Sequence, residues 1–155
     1  MLPAHYVILR EFEEKKRNRE TWFSDPIYTH KQGYKLCLRV DANGYDGASI
    51  LVYLYLMKGE NDDRLTWPFK ETIEVSLMNQ YDSSGSNHSE VLWSHDYDTP
   101  ERLSAQRVLD RDVNCFGRGA SKFITHHQLE RKKKYLKDNC LCFLVKMFHA
   151  QVPVG

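Results

Sequence analysis

A chain of 155 residues is the size of one ordinary domain, enough to bury a single sizeable core. Its 41% hydrophobic and 28% charged residues, with only 8 Gly and 5 Pro, exclude disordered, collagen-like and repetitive classes. Basic and acidic side chains, 22 against 21, nearly cancel, so no global field draws nucleic acid or an anionic membrane, and the longest apolar run, Ile50 to Met57, falls far short of a bilayer span.

The opening Met1 to Arg10 places Pro3 and His5 where a secretory leader would carry a longer apolar stretch, so no export signal is read. Short segments of alternating or continuous apolar character, separated by Gly, Asn, Asp and Ser clusters, point to an antiparallel all-β domain with helix as the minority state. Tyr6 to Arg10 is a first strand, and Glu11 to Glu20 a heavily charged connection with room for one helical turn. Trp22-Phe23 leads into the turn signal Ser24-Asp25-Pro26, and a brief extended piece comes next around Ile27 to Thr29. After Lys31-Gln32-Gly33 comes the clearest strand. There Tyr34, Leu36, Leu38 and Val40 alternate with Lys35, Cys37, Arg39 and Asp41, so one face is apolar and the other carries charge.

Asn43-Gly44 and Asp46-Gly47 tolerate positive φ and mark a hairpin into the apolar run Ile50 to Met57. If Ile50, Val52, Leu54 and Leu56 face the core, then Leu51, Tyr53, Tyr55 and Met57 point to the opposite side, which is too apolar for an ordinary wet surface. Two readings stay open. One is a strand covered on both faces, or simply tolerated surface apolar residues. The other is an aromatic shelf of Tyr53 and Tyr55 on the face that also presents Arg39 and Asp41, suited to gripping an extended peptide.

Further along, Lys58 to Arg64 is a polar loop, Trp67-Pro68-Phe69 a rigid aromatic corner, and Thr72 to Asn79 a strand with Ile73, Val75 and Leu77 inward. Tyr81 to Glu90 is Ser-rich and loop-like, and Val91 to Ser94 resumes a strand. Asp98-Thr99-Pro100-Glu101 reads as a helix start with Thr99 as cap and Pro100 in the first turn. Asp110 to Ser121, with Gly117 and Gly119, reads as loop, and Lys122 to Thr125 as short and extended. The tract Arg131 to Lys134 is a solvated basic surface beside a loop. Cys140 to Phe148 is a closing strand, apolar on both faces like a central strand of a sandwich.

Catalytic signatures are missing. Cys37, Cys115, Cys140 and Cys142 lack the close paired spacings of a zinc module and are too few for a disulfide scaffold, which favours a reducing compartment; Cys140 and Cys142, two apart on one strand face, are read as buried free thiols. His126-His127 would diverge on a strand and has no Cys, Asp or Glu at ligand spacing, so these are read as surface histidines. Gly117-Arg118-Gly119 lacks the Lys-Ser/Thr ending of a phosphate loop and reads as a bend. The sequon Asn87-His88-Ser89 matters only in an exported chain. No metal, cofactor or enzymatic activity is expected.

The run Phe23-Ser24-Asp25-Pro26-Ile27-Tyr28-Thr29-His30, then Gly33 through Val40, resembles the start of the carboxy-terminal domain of the tumour necrosis factor receptor-associated factors (TRAFs). Asn43-Gly44, Leu56-Met57-Lys58-Gly59-Glu60, Leu65-Thr66-Trp67-Pro68-Phe69 and Leu77-Met78-Asn79-Gln80 come in the family's order and nearly its spacing. Ser121-Lys122-Phe123-Ile124 and Tyr135-Leu136-Lys137-Asp138 extend the match, while residues from Tyr81 to Gly119 match poorly. The resemblance implies a TRAF-type member of the MATH domains: an eight-stranded antiparallel β-sandwich with one or two short helical turns. It would occupy the chain as one domain, with its core over about residues 6–149. It would act as a homotrimer in cytoplasmic signalling, binding short peptides from receptor tails or adaptors. The RING, zinc-finger and coiled-coil regions that the family carries upstream are not read in this stretch, nor does an apolar heptad run precede Tyr6.

In that family a peptide lies along the sandwich edge, its Gln held by serine hydroxyls and its acidic residue by an Arg and a Tyr two positions apart on one strand. Arg39 matches the Arg. Asp41 stands at the Tyr position and would repel rather than hold an acidic side chain, which bears on the family's usual Pro-x-Gln-Glu ligand. Tyr53 keeps the aromatic character that packs the ligand's first apolar residue. The serine positions fall near Arg102, Leu103 and Arg118, where Ser104 offers a hydroxyl and the two arginines would favour additional negative charge. The loop between Asp41 and Ser49 is shorter than the family's usual one.

The expected function is therefore a non-catalytic adaptor domain using Arg39, Asp41, Tyr53, Tyr55, Arg102, Ser104 and Arg118 against a peptide. Two alternatives stand beside it. One is a MATH module that recruits substrates to a ubiquitin ligase or deubiquitinase. The other is a structural self-association domain in which Tyr53, Tyr55 and Met57 are covered by a second copy.

Overall fold

Period-two alternation builds one of two sheets. The pattern over residues 34–41 becomes β4 (Lys35–Asp41), and the apolar run after the hairpin becomes β5 (Ser49–Met57), paired antiparallel with Cys37 opposite Tyr55 and Arg39 opposite Tyr53. Both hairpin glycines have positive φ, 58° at Gly44 and 74° at Gly47. The inward set is the expected one. Leu36, Leu38, Val40, Ile50, Val52, Leu54 and Leu56 are each at most 1% exposed and share one core cluster.

The computed structural model describes residues 4–82, 84–94 and 99–148. Its other elements, in chain order, are β1 (Ala4–Leu9), α1 (Phe12–Asn18), β2 (Thr21–Phe23), β3 (Ile27–Tyr28), β6 (Thr72–Leu77), β7 (His88–Trp93), β8 (Arg118–Thr125), α2 (His126–Lys132) and β9 (Leu141–Phe148). Two 3-10 helices, Asp62–Arg64 and Thr99–Ala105, complete it. One antiparallel sheet runs β1-β9-β6-β7; the other runs β2-β4-β5-β8, with β3 also on β4. Because β2 pairs with residues 39–41 and β3 with residues 35–36, the two form one interrupted edge strand broken by Ser24-Asp25-Pro26. Counted that way, the described residues hold the expected eight-stranded sandwich.

Between the layers, Ile73, Val75, Leu77, Trp93, Phe143 and Val145 of the first sheet meet the inward row of the second, all 0% exposed. The Trp67-Pro68-Phe69 corner, whose Trp67–Pro68 bond is cis, is held by edge-to-face rings: Tyr34 to Trp67 at 5.0 Å, Tyr34 to Phe69 at 4.8 Å and Phe69 to Trp93 at 5.0 Å. At the margins, imidazoles clasp carbonyls across elements. His5 Nε2 lies 2.8 Å from the Tyr28 oxygen, and His88 Nε2 lies 2.6 Å from that of Phe123. None of the helices among the described residues is long and apolar enough to cross a membrane.

Several local expectations are corrected. The charged connection after β1 holds a full seven-residue helix, anchored by Phe12 at 1% exposure, rather than one turn. The strand expected from Val91 starts at His88, because its polar residues pair with β6: Ser89 opposite Ser76 and His88 opposite Leu77. His126-His127 does not lie on a strand; it opens α2, whose start is fixed by a capping box between Thr125 and Gln128. The basic tract 131–134 accordingly closes the last turn of α2 and runs two residues past its end. Cys140 and Cys142, expected as buried free thiols, are free but only half-buried; Cys37 is buried, Cys115 exposed, and both are also free. The expected helix start is a 3-10 helix, and Asp98 and the side chain of the expected cap Thr99 lie outside what is described of the chain.

Gly119 is not part of a bend. It sits inside β8 opposite Tyr53, where an added Cβ would fall 2.1 Å from the Val52 oxygen and 2.7 Å from Tyr53 Cα. Gly47 is unlike it: its φ is strained for other residues, but nothing lies within 4 Å of a Cβ there. Urea unfolding of Gly119→Ala is therefore expected to show a loss of about 3 kcal/mol or more, and Gly47→Ala only about 1 kcal/mol. Equal losses would contradict the close approach of β8 to β5.

Candidate peptide-binding site

Antiparallel pairing places directly opposed residues on one face. On the outer face of the five-stranded sheet, the register therefore lines up Phe23 on β2, Arg39 on β4, Tyr53 on β5 and Gly119 on β8 as one row across the strands. Arg39 and Asp41, two apart on β4, share that face and bond each other. Arg39 Nε donates to Asp41 Oδ1 at 2.9 Å and Nη2 to Oδ2 at 2.6 Å, a two-pronged pair, while Nη1 donates to the Tyr55 hydroxyl at 2.7 Å. The side chains of Arg39 and Asp41 are 20% and 12% exposed. The Asp41 carboxylate, helped by the Tyr55 hydroxyl and opposed by burial, holds the Arg39 guanidinium above its ordinary pKa.

Here the expected shelf is corrected. Tyr55 is 8% exposed, because the chain at Gly117 lies over its ring; a Cβ on Gly117 would sit 2.6–2.8 Å from three ring carbons. Tyr55 is thus an internal acceptor for Arg39, covered by its own chain rather than by a second copy. Leu51 is also fully buried. Tyr53 stays half-buried, its ring centroid 6.4 Å from that of Tyr55, and burial together with the nearby Tyr45 phenol pushes its own phenol pKa up. With Leu92, Gly117, Arg118 and Gly119 it lines a cavity of about 200 Å³.

The remaining expected residues separate. Arg118 Nη1 donates to the Ser94 carbonyl at 3.0 Å and the guanidinium lies 5.5 Å from the Trp93 ring centroid, so it braces the two sheets at the rim of that cavity. Arg102 is exposed on the second 3-10 helix. Ser104, on the same 3-10 helix, is 2% exposed and so is buried rather than presented at the surface. Asp41 does not stand as a lone repelling charge, since Arg39 neutralises it. Sequence reasoning missed Phe23, 51% exposed with its ring 6.1 Å from that of Tyr55, and Leu92 in the cavity wall. The signal for Phe23 was present: Trp22 packs against the core, so its neighbour on a strand points out. Among the described residues no cluster of His, Cys, Asp or Glu is arranged to hold a metal.

Two antiparallel sheets in this order, with a partly roofed groove beside edge strand β8, define a β-sandwich of the MATH class. The chain belongs to the TRAF/meprin MATH domain family, whose model matches residues 19–144. It is 35% identical over 123 residues to TNF receptor-associated factor 5 of Mus musculus, covering 77% of this chain and 21% of that protein. It is 29% identical over 122 residues to TNF receptor-associated factor 2 of Homo sapiens, covering 77% and 23%. The solved structure of Notothenia coriiceps TRAF5 superposes with a TM-score of 0.84 at 24% identity, covering 98% of this chain and 76% of that one, which establishes the shared fold. The chain spans about a fifth of the length of the curated relatives it matches.

The internal contacts carry two expected outcomes. Removing the Tyr55 hydroxyl by Tyr55→Phe takes an acceptor from a charged donor and should cost about 1.5–3 kcal/mol in urea unfolding. Cys37 lies on the same face, 3% exposed, with its thiol pushed up to about 11 by burial, whereas Cys115 is exposed. Iodoacetamide near pH 8 should alkylate Cys115 in the folded protein and reach Cys37 only after unfolding, as read by peptide mass mapping.

Proposed function

We propose that this chain is a non-catalytic signalling adaptor domain that captures short extended peptides from the cytoplasmic tails of receptors or from other adaptors. The observation that carries the reading is the half-open Tyr53 cavity beside β8, the last strand of its sheet. The free edge of β8 leaves backbone groups that can anchor one end of an extended peptide, the half-buried Tyr53 beside it supplies a side-chain pocket, and the row from Tyr53 through Arg39 to Phe23 carries the peptide across the strands. Family membership supports the adaptor role, since the relatives it matches carry the name TNF receptor-associated factor. In this reading Tyr53 packs an apolar ligand residue, Phe23 extends the apolar row, and Arg118 shapes the rim of the groove. The homotrimer that the resemblance implies would turn a weak single-site contact into useful avidity.

Selection of linear peptides from a displayed library, followed by titration of the hits against the wild-type chain and Tyr53→Ala, tests the reading. Hits should lose about tenfold or more in affinity on the variant, with its amide spectrum otherwise preserved. Hits that bind the variant unchanged would move the site away from Tyr53. A library that yields none would remove peptide capture altogether.

A further inference from the structure

The contact between Arg39 and Asp41 says more about the ligand than the pocket beside it does. The carboxylate sits in the planar fork of the guanidinium, each oxygen taking one N–H, and Tyr55 takes a third. This is the geometry with which an arginine receives an acidic residue of a ligand, and here the chain supplies that residue itself. Asp41 is two positions away on the same strand, so its local concentration is permanent and no free peptide competes on equal terms. An incoming carboxylate must either expel Asp41, leaving a mostly buried anion without its partner, or settle beside it against like charge.

We propose that Asp41 is a built-in surrogate for a ligand's acidic group and the specificity-determining residue of this site. The domain thereby selects extended peptides that are uncharged where they cross Arg39, with apolar side chains against Phe23 on one side and Tyr53 on the other. The register supports this assignment, because Phe23 and Tyr53 lie directly opposite Arg39 on the neighbouring strands, and the nearby cation at the row's end, Arg118, is turned to the Ser94 carbonyl and the Trp93 ring. The inference rests on the peptide-capture reading for the identity of the ligand, but the occupancy of Arg39 is testable without any peptide.

The first arm uses glutarate as a minimal carboxylate, followed at the Arg39 Nε–H resonance in the wild-type chain, in Asp41→Asn and in Asp41→Ala. The second variant guards against poor folding of the first, and amide spectra check both. Glutarate should move the resonance in the variants and leave the wild type unmoved. An equal response in the wild type, or none in a folded variant, overturns the proposal. The second arm takes each peptide selected on the wild type and compares synthetic versions with Gln or Glu at the residue that crosses Arg39. The wild type should favour Gln by about tenfold and Asp41→Asn should reverse the order. A wild-type preference for Glu would overturn the surrogate role while peptide capture stands. Absence of any peptide hit, with the glutarate response confined to the variants, would remove peptide capture and keep Asp41 as the occupant of Arg39.

Discussion

The antiparallel register between β4 and β5 is the constraint on which the rest depends. With a side-chain period of two, a slip of one residue would carry Leu36, Leu38 and Val40 to the outside and bring Arg39 and Asp41 into the core. Burying that charged pair against Trp93 and Phe69 is costly enough that only one register is open. Once it is set, the outer face is set with it: Arg39 falls opposite Tyr53, Cys37 opposite Tyr55, and β2 joins with Phe23 beside Arg39. The site is the reverse side of the core pattern.

That reverse side is unusual in how its charge is satisfied. The outer face carries a cation, yet the cation is neutralised within its own strand, and the aromatic at its elbow is bonded to it as well. A free arginine on a sheet face is an anion receptor; a paired one is a polar floor. Membership of the TRAF/meprin MATH family establishes the scaffold, while the side chains of this chain decide what the scaffold accepts.

Much of the architecture was legible. Alternation over residues 34–41, the two Asn/Asp-Gly turns, and the inward triplet Ile73, Val75 and Leu77 each arise from local rules, and each is found in place. What escaped was set by contacts distant in sequence. Whether Tyr55 is a shelf or a buried acceptor depends on Gly117, some sixty positions later, and glycines in a polar stretch look like a bend until a partner strand is known. His88 and Ser89 have no strand signature of their own and are drawn into β7 by pairing with β6. Likewise Asp41 read as repulsion when considered alone, because the two-pronged geometry that neutralises it is a matter of rotamers, not of composition.

The way residue 117 lies over the Tyr55 ring couples two places that share no neighbourhood in the chain. They draw on one small volume: an aromatic at the first forbids any side chain at the second, and a methyl at the second demands a lesser residue at the first. Drift at either position is therefore hostage to the other. Because the Tyr55 hydroxyl also steadies Arg39, any such exchange would reach the ion pair on the sheet surface as well.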